Sequence, residues 1–399
     1  MPQRSRRLLV GRILAVLVGV LSPLILLELS LRLFGPWLPG GYDTGPYIQR
    51  HELLGHFHVP NHRGWMRAPE FTTYVEISPL GLRDRRTTYE KPADAFRILL
   101  LGDSYLEGVQ VQQSEGVAER LELLLNERSG QQAGPRIEVI NAGVAAYGTA
   151  QYLLLYESDV HRYQPDLVMM FHFVGNDVKN NSPALEIPGG DRKLAVKPYF
   201  ELEPDGQLTL LPGPPVKPQP LLVRTLRHSW TYNAFEGTTF ALLDPAFIRE
   251  DIEVVGGARN YIRENYDLEP EREWAKAWRI TEALIARLQT RTQEHGAPLV
   301  LVGVPDWRAL DPDIWRQELF RNRRQQRPAS PEAPTDRLGQ IAGRHNLPYL
   351  DLLPVFRQTI AAGSGPLYYA VDGHWNAAGH AAAAAGLADA LRSRNLLPQ

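Results

Sequence analysis

The chain contains no cysteine, which removes disulfides, thiolate nucleophiles, cysteine-ligated zinc and the lipid-modified cysteine of a bacterial lipoprotein. It also lacks a charge excess. With 43 Lys+Arg against 45 Asp+Glu, no whole-chain field recommends nucleic acid or a strongly charged surface as partner. No GxSxG elbow, phosphate-binding loop or GxGxxG turn occurs, so nucleotide cofactors have no sequence support. Internal repeats are absent as well. Histidine is clustered at His51, His56, His58 and His62, but the Gly, Phe and Pro between them give no helical or hairpin ligand geometry. No nearby paired carboxylates complete a metal site. Neither a metal nor a cofactor is expected.

What is present begins with the first 35 residues. Arg4, Arg6, Arg7 and Arg12 precede an unbroken apolar run from Ile13 to Leu27, which extends to Phe34 if Glu28 and Arg32 sit at the far interface. That supplies the roughly 20 residues a spanning helix needs. No small-x-small cleavage site follows, since the next residues are Gly35-Pro36-Trp37-Leu38. The expectation is therefore an uncleaved signal anchor over 1–35, with a cleavable signal peptide as the rival. The basic flank places the N-terminus in the cytoplasm and everything after Phe34 outside it.

Residues 36–95 are rich in Pro, Gly and aromatics and show no sustained helical period, which predicts a juxtamembrane segment with a few short strands. From Phe96 the character changes. The run Phe96-Arg-Ile-Leu-Leu-Leu-Gly is continuously apolar apart from Arg97 and ends in a turn, as a strand buried on both faces does. Further strands are expected at Ile137–Asn141, Asp166–Val174, Pro298–Val304 and Pro348–Leu352. Helices are expected near Glu115–Arg128, Thr149–His161, Glu271–His295 and Asn376–Arg392. Five strands alternating with helices predict a three-layer α/β/α sandwich, flavodoxin-like with a five-stranded parallel sheet, spanning residues 96–399. The stretches 179–269 and 306–334 break the rhythm and are read as insertions, able to form lids or substrate walls beside a site.

Polar residues fall where such a sheet presents a site. Ser104 lies just past the first strand, Asn141-Ala-Gly143 ends the second, Gly175-Asn176-Asp177 follows the third, and Asp372-Gly-His374-Trp-Asn376 precedes the last helix. A nucleophilic serine needs a base, a group that orients the base, and donors for the oxyanion. The strand ends supply candidates for each. Asp103 and Asp177 are read as structural, holding their loops.

Four segments resemble the conserved blocks of the SGNH/GDSL hydrolase superfamily: LGDSYLEG at 101–108, INAGVAAYGTAQ at 140–151, FVGNDVKNN at 173–181 and VDGHWNAAGH at 371–380. The resemblance covers roughly residues 96–392. PLGLRD at 79–84, with the N-terminal anchor, is similar to the bacterial envelope branch of that superfamily. The resemblance implies that Ser104 attacks an ester carbonyl, His374 takes its proton and Asp372 orients the imidazole. The oxyanion would be held by the Ser104 N–H, the Gly143 N–H and the Asn176 amide. The pattern departs from the family in two respects: the commonest final block places Asp three residues before His, whereas only Gly373 separates Asp372 from His374, and the third block reads Gly175-Asn176-Asp177 with no residue between Gly and Asn. The implied substrate is an acylated envelope glycan, peptidoglycan or lipid. Hydrolysis and transfer to a sugar hydroxyl need the same triad, and a non-catalytic glycan-binding subunit would need it broken.

Overall fold

The computed structural model describes residues 3–34, 47–127, 134–186, 197–213, 229, 231, 265–270, 272–321 and 328–398. Helix α1 (Gln3–Phe34) opens the chain. Its stretch Val10–Phe34 is long and apolar enough to cross a bilayer, as an anchor or a signal sequence would be, and none of it is buried against the protein. Near its end Glu28 pairs with Arg32 at 2.8 Å and also accepts the Ser229 hydroxyl and the Thr231 N–H.

Residues 48–76 carry two antiparallel hairpins, β1 (Ile48–His51) with β2 (Gly55–His58), and β3 (Arg63–Arg67) with β4 (Thr72–Glu76). The sheet follows. In chain order come β5 (Ala95–Gly102), α2 (Ser104–Glu107), α3 (Val117–Glu127), β6 (Arg136–Gly143), α4 (Thr149–Ser158), β7 (Leu167–Phe173) and the short α5 (Pro183–Glu186). A hairpin of β8 (Tyr199–Leu202) and β9 (Leu208–Leu211) falls within 179–269, the first stretch read as an insertion. The chain then runs through α6 (Arg272–Glu294), β10 (Leu299–Val304), α7 (Pro312–Arg321), α8 (Ala333–Arg344), β11 (Tyr349–Asp351), α9 (Leu352–Ala361) and α10 (Ala377–Ser393).

Strand order is β6-β5-β7-β10-β11 and every pairing is parallel. Because side chains alternate across a strand, each strand feeds two cores. Leu99, Leu101, Ile140, Ala142, Val168 and Met170 pack with α4, α6 and α8 on one face. Ile98, Leu100, Val139, Met169, Val300 and Val302 pack with α3, α9 and α10 on the other. Each fully buried aliphatic side chain contributes about 1.5–3 kcal/mol of transfer free energy, which explains why these strands read as near-continuous apolar runs. The three-layer sandwich expected from the sequence is the observed fold.

Parallel strands bring all their carboxyl ends to one edge. The strand order reverses around β5, whose neighbours are β6 on one side and β7 on the other, so its carboxyl end is the topological switch point where such sheets bind ligands. Ser104 is two residues past that end.

Candidate active site

Ser104 opens α2, a single turn set directly on β5. Asp103 caps it, its Oδ1 accepting the Tyr105 N–H at 3.0 Å, and the turn ends at Gly108 in the left-handed region, φ +66°. A Cβ on Gly108 would stand 3.0 Å from the His380 ring, so only glycine closes the turn there. The far end of α2 is held by Arg83, which donates to the carbonyls of Glu107, Gly108 and Val111 at 2.9, 2.7 and 2.7 Å. A cation against helix-end carbonyls is doubly suited, by hydrogen bonding and by the helix dipole. Glu107 is buried and meets His58 Nε2 at 2.7 Å, while His58 Nδ1 donates to the Gly81 carbonyl at 2.8 Å. Gly81 and Arg83 belong to PLGLRD, so that motif is the brace of the turn that carries Ser104. The sequence marks the motif without giving it this role; the available signal was an arginine directly after the apolar Leu82, in a stretch with no helical or strand period.

The second block meets the same turn. Asn141 Nδ2 donates to the Leu106 carbonyl at 2.9 Å, and a Cβ on Gly143 would overlap Glu107 N and lie 2.8 Å from Leu106 C. The Gly143 N–H, expected as an oxyanion donor, is donated to Asn141 Oδ1 at 2.9 Å. The physical reason is local: the inward-turned Asn141 offers the nearest acceptor to a strand-end amide that otherwise has none. In the third block Asp177 is fully buried, accepting the Phe173 N–H at 3.0 Å and the Tyr152 hydroxyl at 3.1 Å. It thereby fixes the bend that carries Asn176, whose side-chain oxygen has no partner among the described residues. Asp103 and Asp177 hold their loops, as the sequence suggested. Burial pushes the Asp103 carboxyl up to about 6 against the bond from Tyr105 and the nearby His374, and pushes Asp177 well above the usual carboxylate range.

His374 comes from the loop before α10, 270 residues away in sequence. Its Nε2 lies 2.8 Å from Ser104 Oγ, and its Nδ1 lies 2.8 Å from Asp372 Oδ1. An ionised carboxylate only accepts, so Nδ1 carries the hydrogen and Nε2 is left to receive the serine proton. Burial opposes ionisation of Asp372, but the hydrogen bonds and charge of His374 outweigh it and hold the carboxyl below its ordinary value. The imidazole rests against the Tyr105 ring at 4.9 Å, and the Tyr105 hydroxyl donates to the Gly373 carbonyl at 2.9 Å. Gly373 itself has φ +84°, which lets two residues so close in sequence turn their side chains onto one another. Trp375 is completely buried against Phe356 and Tyr105, at the base of the last helix.

The four expected patches are therefore brought to one edge of the sheet. The histidine cluster is not brought together in that way: His56 bonds to the Ala145 carbonyl at 2.7 Å while His58 serves Glu107. Among the described residues no group of three or more His, Asp or Glu side chains is placed to hold a metal ion. Most of the 179–269 insertion and residues 322–327 of the second lie outside the described residues, and with them the lid or wall expected there.

Residues 261–399 match the family described as "SGNH hydrolase-like domain, acetyltransferase AlgX"; this span includes Asp372 and His374, and Ser104 and Asn176 precede it. No curated protein matches the chain. Among solved structures, TesA is 14% identical, with 74% of this chain and 98% of that chain covered and a TM-score of 0.36. A catalytic mutant of Axe2, an acetylxylan esterase from Geobacillus stearothermophilus, is 14% identical over 74% of this chain and 94% of that one, TM-score 0.38. The two-domain esterase CEX, active on acetylated mannans, is 15% identical over 76% of this chain and 51% of that one, TM-score 0.38.

Proposed function

We propose that this chain is a serine esterase of the SGNH/GDSL kind that removes acetyl or other short acyl groups from an envelope glycan, peptidoglycan or lipid, a reading supported by the match of residues 261–399 to the SGNH hydrolase-like domain family. The observation that carries the reading is the pair of 2.8 Å contacts joining Ser104 Oγ, the His374 imidazole and the Asp372 carboxylate. Ser104 Oγ attacks the ester carbonyl while His374 Nε2 takes its proton, and Asp372 stabilises the imidazolium so formed. His374 returns the proton to the leaving alkoxide, and the acyl group stays on Ser104. Water, deprotonated by the same imidazole, then releases the acid. The developing oxyanion is held by the Ser104 N–H, a helix-start donor without an intrahelical partner, and by the Asn176 amide. The Gly143 N–H adds to them by sharing its hydrogen between Asn141 and the oxyanion.

The name of the matching family, an acetyltransferase, favours a second reading in which a sugar hydroxyl replaces water in the last step. Both run through one acyl-enzyme. In this reading α1 anchors the protein in a membrane, basic end inside, with the site outside the cytoplasm.

The test uses the full chain in detergent, an aryl acetate and a serine-directed phosphonate. Turnover and a mass label on Ser104, both lost in Ser104→Ala, are the expected result; triad removal in other serine hydrolases lowers kcat by about 10⁶. A folded wild-type protein that neither turns over nor takes the label would end the reading. Radiolabelled acetate found on an added glycan, rather than free in solution, would decide for transfer.

A further inference from the structure

The loop that carries Asp372 and His374 is not self-supporting. It is a narrow return in which the Tyr369 N–H donates to the His374 carbonyl at 2.8 Å, the Gly373 N–H donates to the Tyr369 carbonyl at 3.2 Å, and Tyr368 bridges Trp375. These bonds leave the N–H groups of Ala370, Val371 and Asp372 at the tip without an acceptor inside the loop. All three are taken by one side chain, Glu70, whose carboxylate accepts them at 2.8, 2.9 and 2.7 Å. Three N–H bonds to one ionised acceptor are charge-assisted and stronger than neutral ones.

Glu70 sits in the turn between β3 and β4, 300 residues from the loop it holds. The same hairpin grips the segment that follows the Ser104 turn. Thr73 Oγ1 donates to the Val109 carbonyl at 2.6 Å, Gln112 Nε2 to the Thr72 carbonyl at 3.3 Å, and the Tyr369 hydroxyl reaches the Gln110 carbonyl at 3.1 Å. The Phe71 ring packs on Tyr369 at 5.4 Å. The β3–β4 hairpin is thus a strut with one end on residues 109–112, just after Ser104, and the other on residues 370–372, just before His374.

We propose that Glu70 is a positioning residue for the triad, fixing the Asp372-Gly373-His374 turn so that the imidazole stays within reach of Ser104. The short spacing explains the need. With only Gly373 between them, Asp372 Oδ1 accepts both the His374 N–H and Nδ1, so the acid and base form one tight turn whose orientation depends on what fixes its backbone. Glu70 fixes it through the Asp372 N–H. The proposal rests on the acyl-enzyme reading for its catalytic consequence, while the grip on the loop is independent of it.

Glu70→Ala and Glu70→Gln are made in the full chain, with kcat and KM measured on an aryl acetate and amide hydrogen exchange followed by peptide mass spectrometry. A displacement of catalytic groups by about 1 Å can cost about 100-fold. Glu70→Ala is expected to lower kcat about 10- to 100-fold with KM within about twofold, and to speed exchange at residues 370–372 while β5 and β7 stay protected. Glu70→Gln, which keeps an acceptor oxygen without the charge, falls between wild type and Ala. A Glu70→Ala kcat within about twofold of wild type, or unchanged protection at 370–372, overturns the proposal. So does a loss of kcat shared equally by both variants and accompanied by faster exchange throughout the sheet, which would mark general destabilisation. Turnover surviving in Ser104→Ala would instead overturn the acyl-enzyme reading, and the exchange experiment in that background still reads the Glu70 grip.

Discussion

The two halves of the site are built in opposite ways. The Ser104 half grows out of a buried strand: Leu106, Glu107 and Gly108 are enclosed, and α2 is pinned by Arg83, His58 and Asn141 at once. The His374 half is a loop at the surface, with Val371 at its tip 73% exposed and His374 and Asp372 part-exposed. One half is held by packing and many partners; the other hangs on a few named bonds. Removing a packed partner from the first should therefore cost stability along with rate, and disturbing the second should cost mainly rate.

The sharpest test of that contrast is Asp372→Asn. The amide keeps the shape of the loop but can no longer fix the Nδ1–H tautomer, and the analogous change in a serine protease triad lowers kcat by about 10⁴. The expected outcome is a loss of that order with only a small fall in thermal midpoint, the part due to the Asp372–His374 pairing, measured on an aryl acetate and by calorimetry. A midpoint that drops with the rate would show that the loop is part of the folding core. Arg83→Met probes the other half. It leaves the Glu107 and Val111 carbonyls without their donor and the Gly108 carbonyl with only the Val111 N–H, each unsatisfied buried group costing about 1–3 kcal/mol, so urea unfolding should show a loss of about 2–6 kcal/mol together with a fall in kcat. Full stability in Arg83→Met would erase the distinction between the halves.

How much of this was legible in the sequence follows the same division. The sheet was readable because Ile98, Leu99, Leu100 and Leu101 in β5, and nearly all of β7, are apolar on both faces, a one-dimensional property of the chain. The placement of Ser104, Asn176 and His374 at one edge of the sheet was readable because they follow strands or precede a helix in recognisable blocks. The partners of those blocks were not readable. Nothing in the sequence around Glu70 or His58 declares what they will touch, since each acts across a sequence gap set by the tertiary fold. The bond from the Gly143 N–H to Asn141 was hidden for a different reason: it depends on a side-chain rotamer turned back along its own strand. The spacing Asp372-Gly373-His374 was visible as a departure, but its consequence, an acid–base turn that needs external support, emerges only with Glu70 in place.

The smallest expected effect separates the halves by charge. Asp103 and Asp372 are both within reach of His374, yet burial raises the Asp103 carboxyl to about 6 while His374 holds Asp372 below its ordinary value. A carboxyl whose folded value is raised favours folding in its protonated form, so the contribution of Asp103 is fully present below its ordinary 3.8 and is lost as pH rises through about 6. A shift of this size corresponds to about 3 kcal/mol at most. Asp372 has the opposite sign: its contribution is present above the ordinary value and is lost as pH falls through the depressed one. Asp103→Asn keeps an oxygen for the Tyr105 N–H and removes the titration. Relative to wild type it should become progressively more stable between pH 4 and pH 6, by about 1.4 kcal/mol per pH unit at the steepest, and then hold a constant advantage up to pH 8. Parallel stability curves for the two proteins across that window would mean that Asp103 ionises as freely as Asp372, and the Ser104 half would then be no drier than the loop it faces.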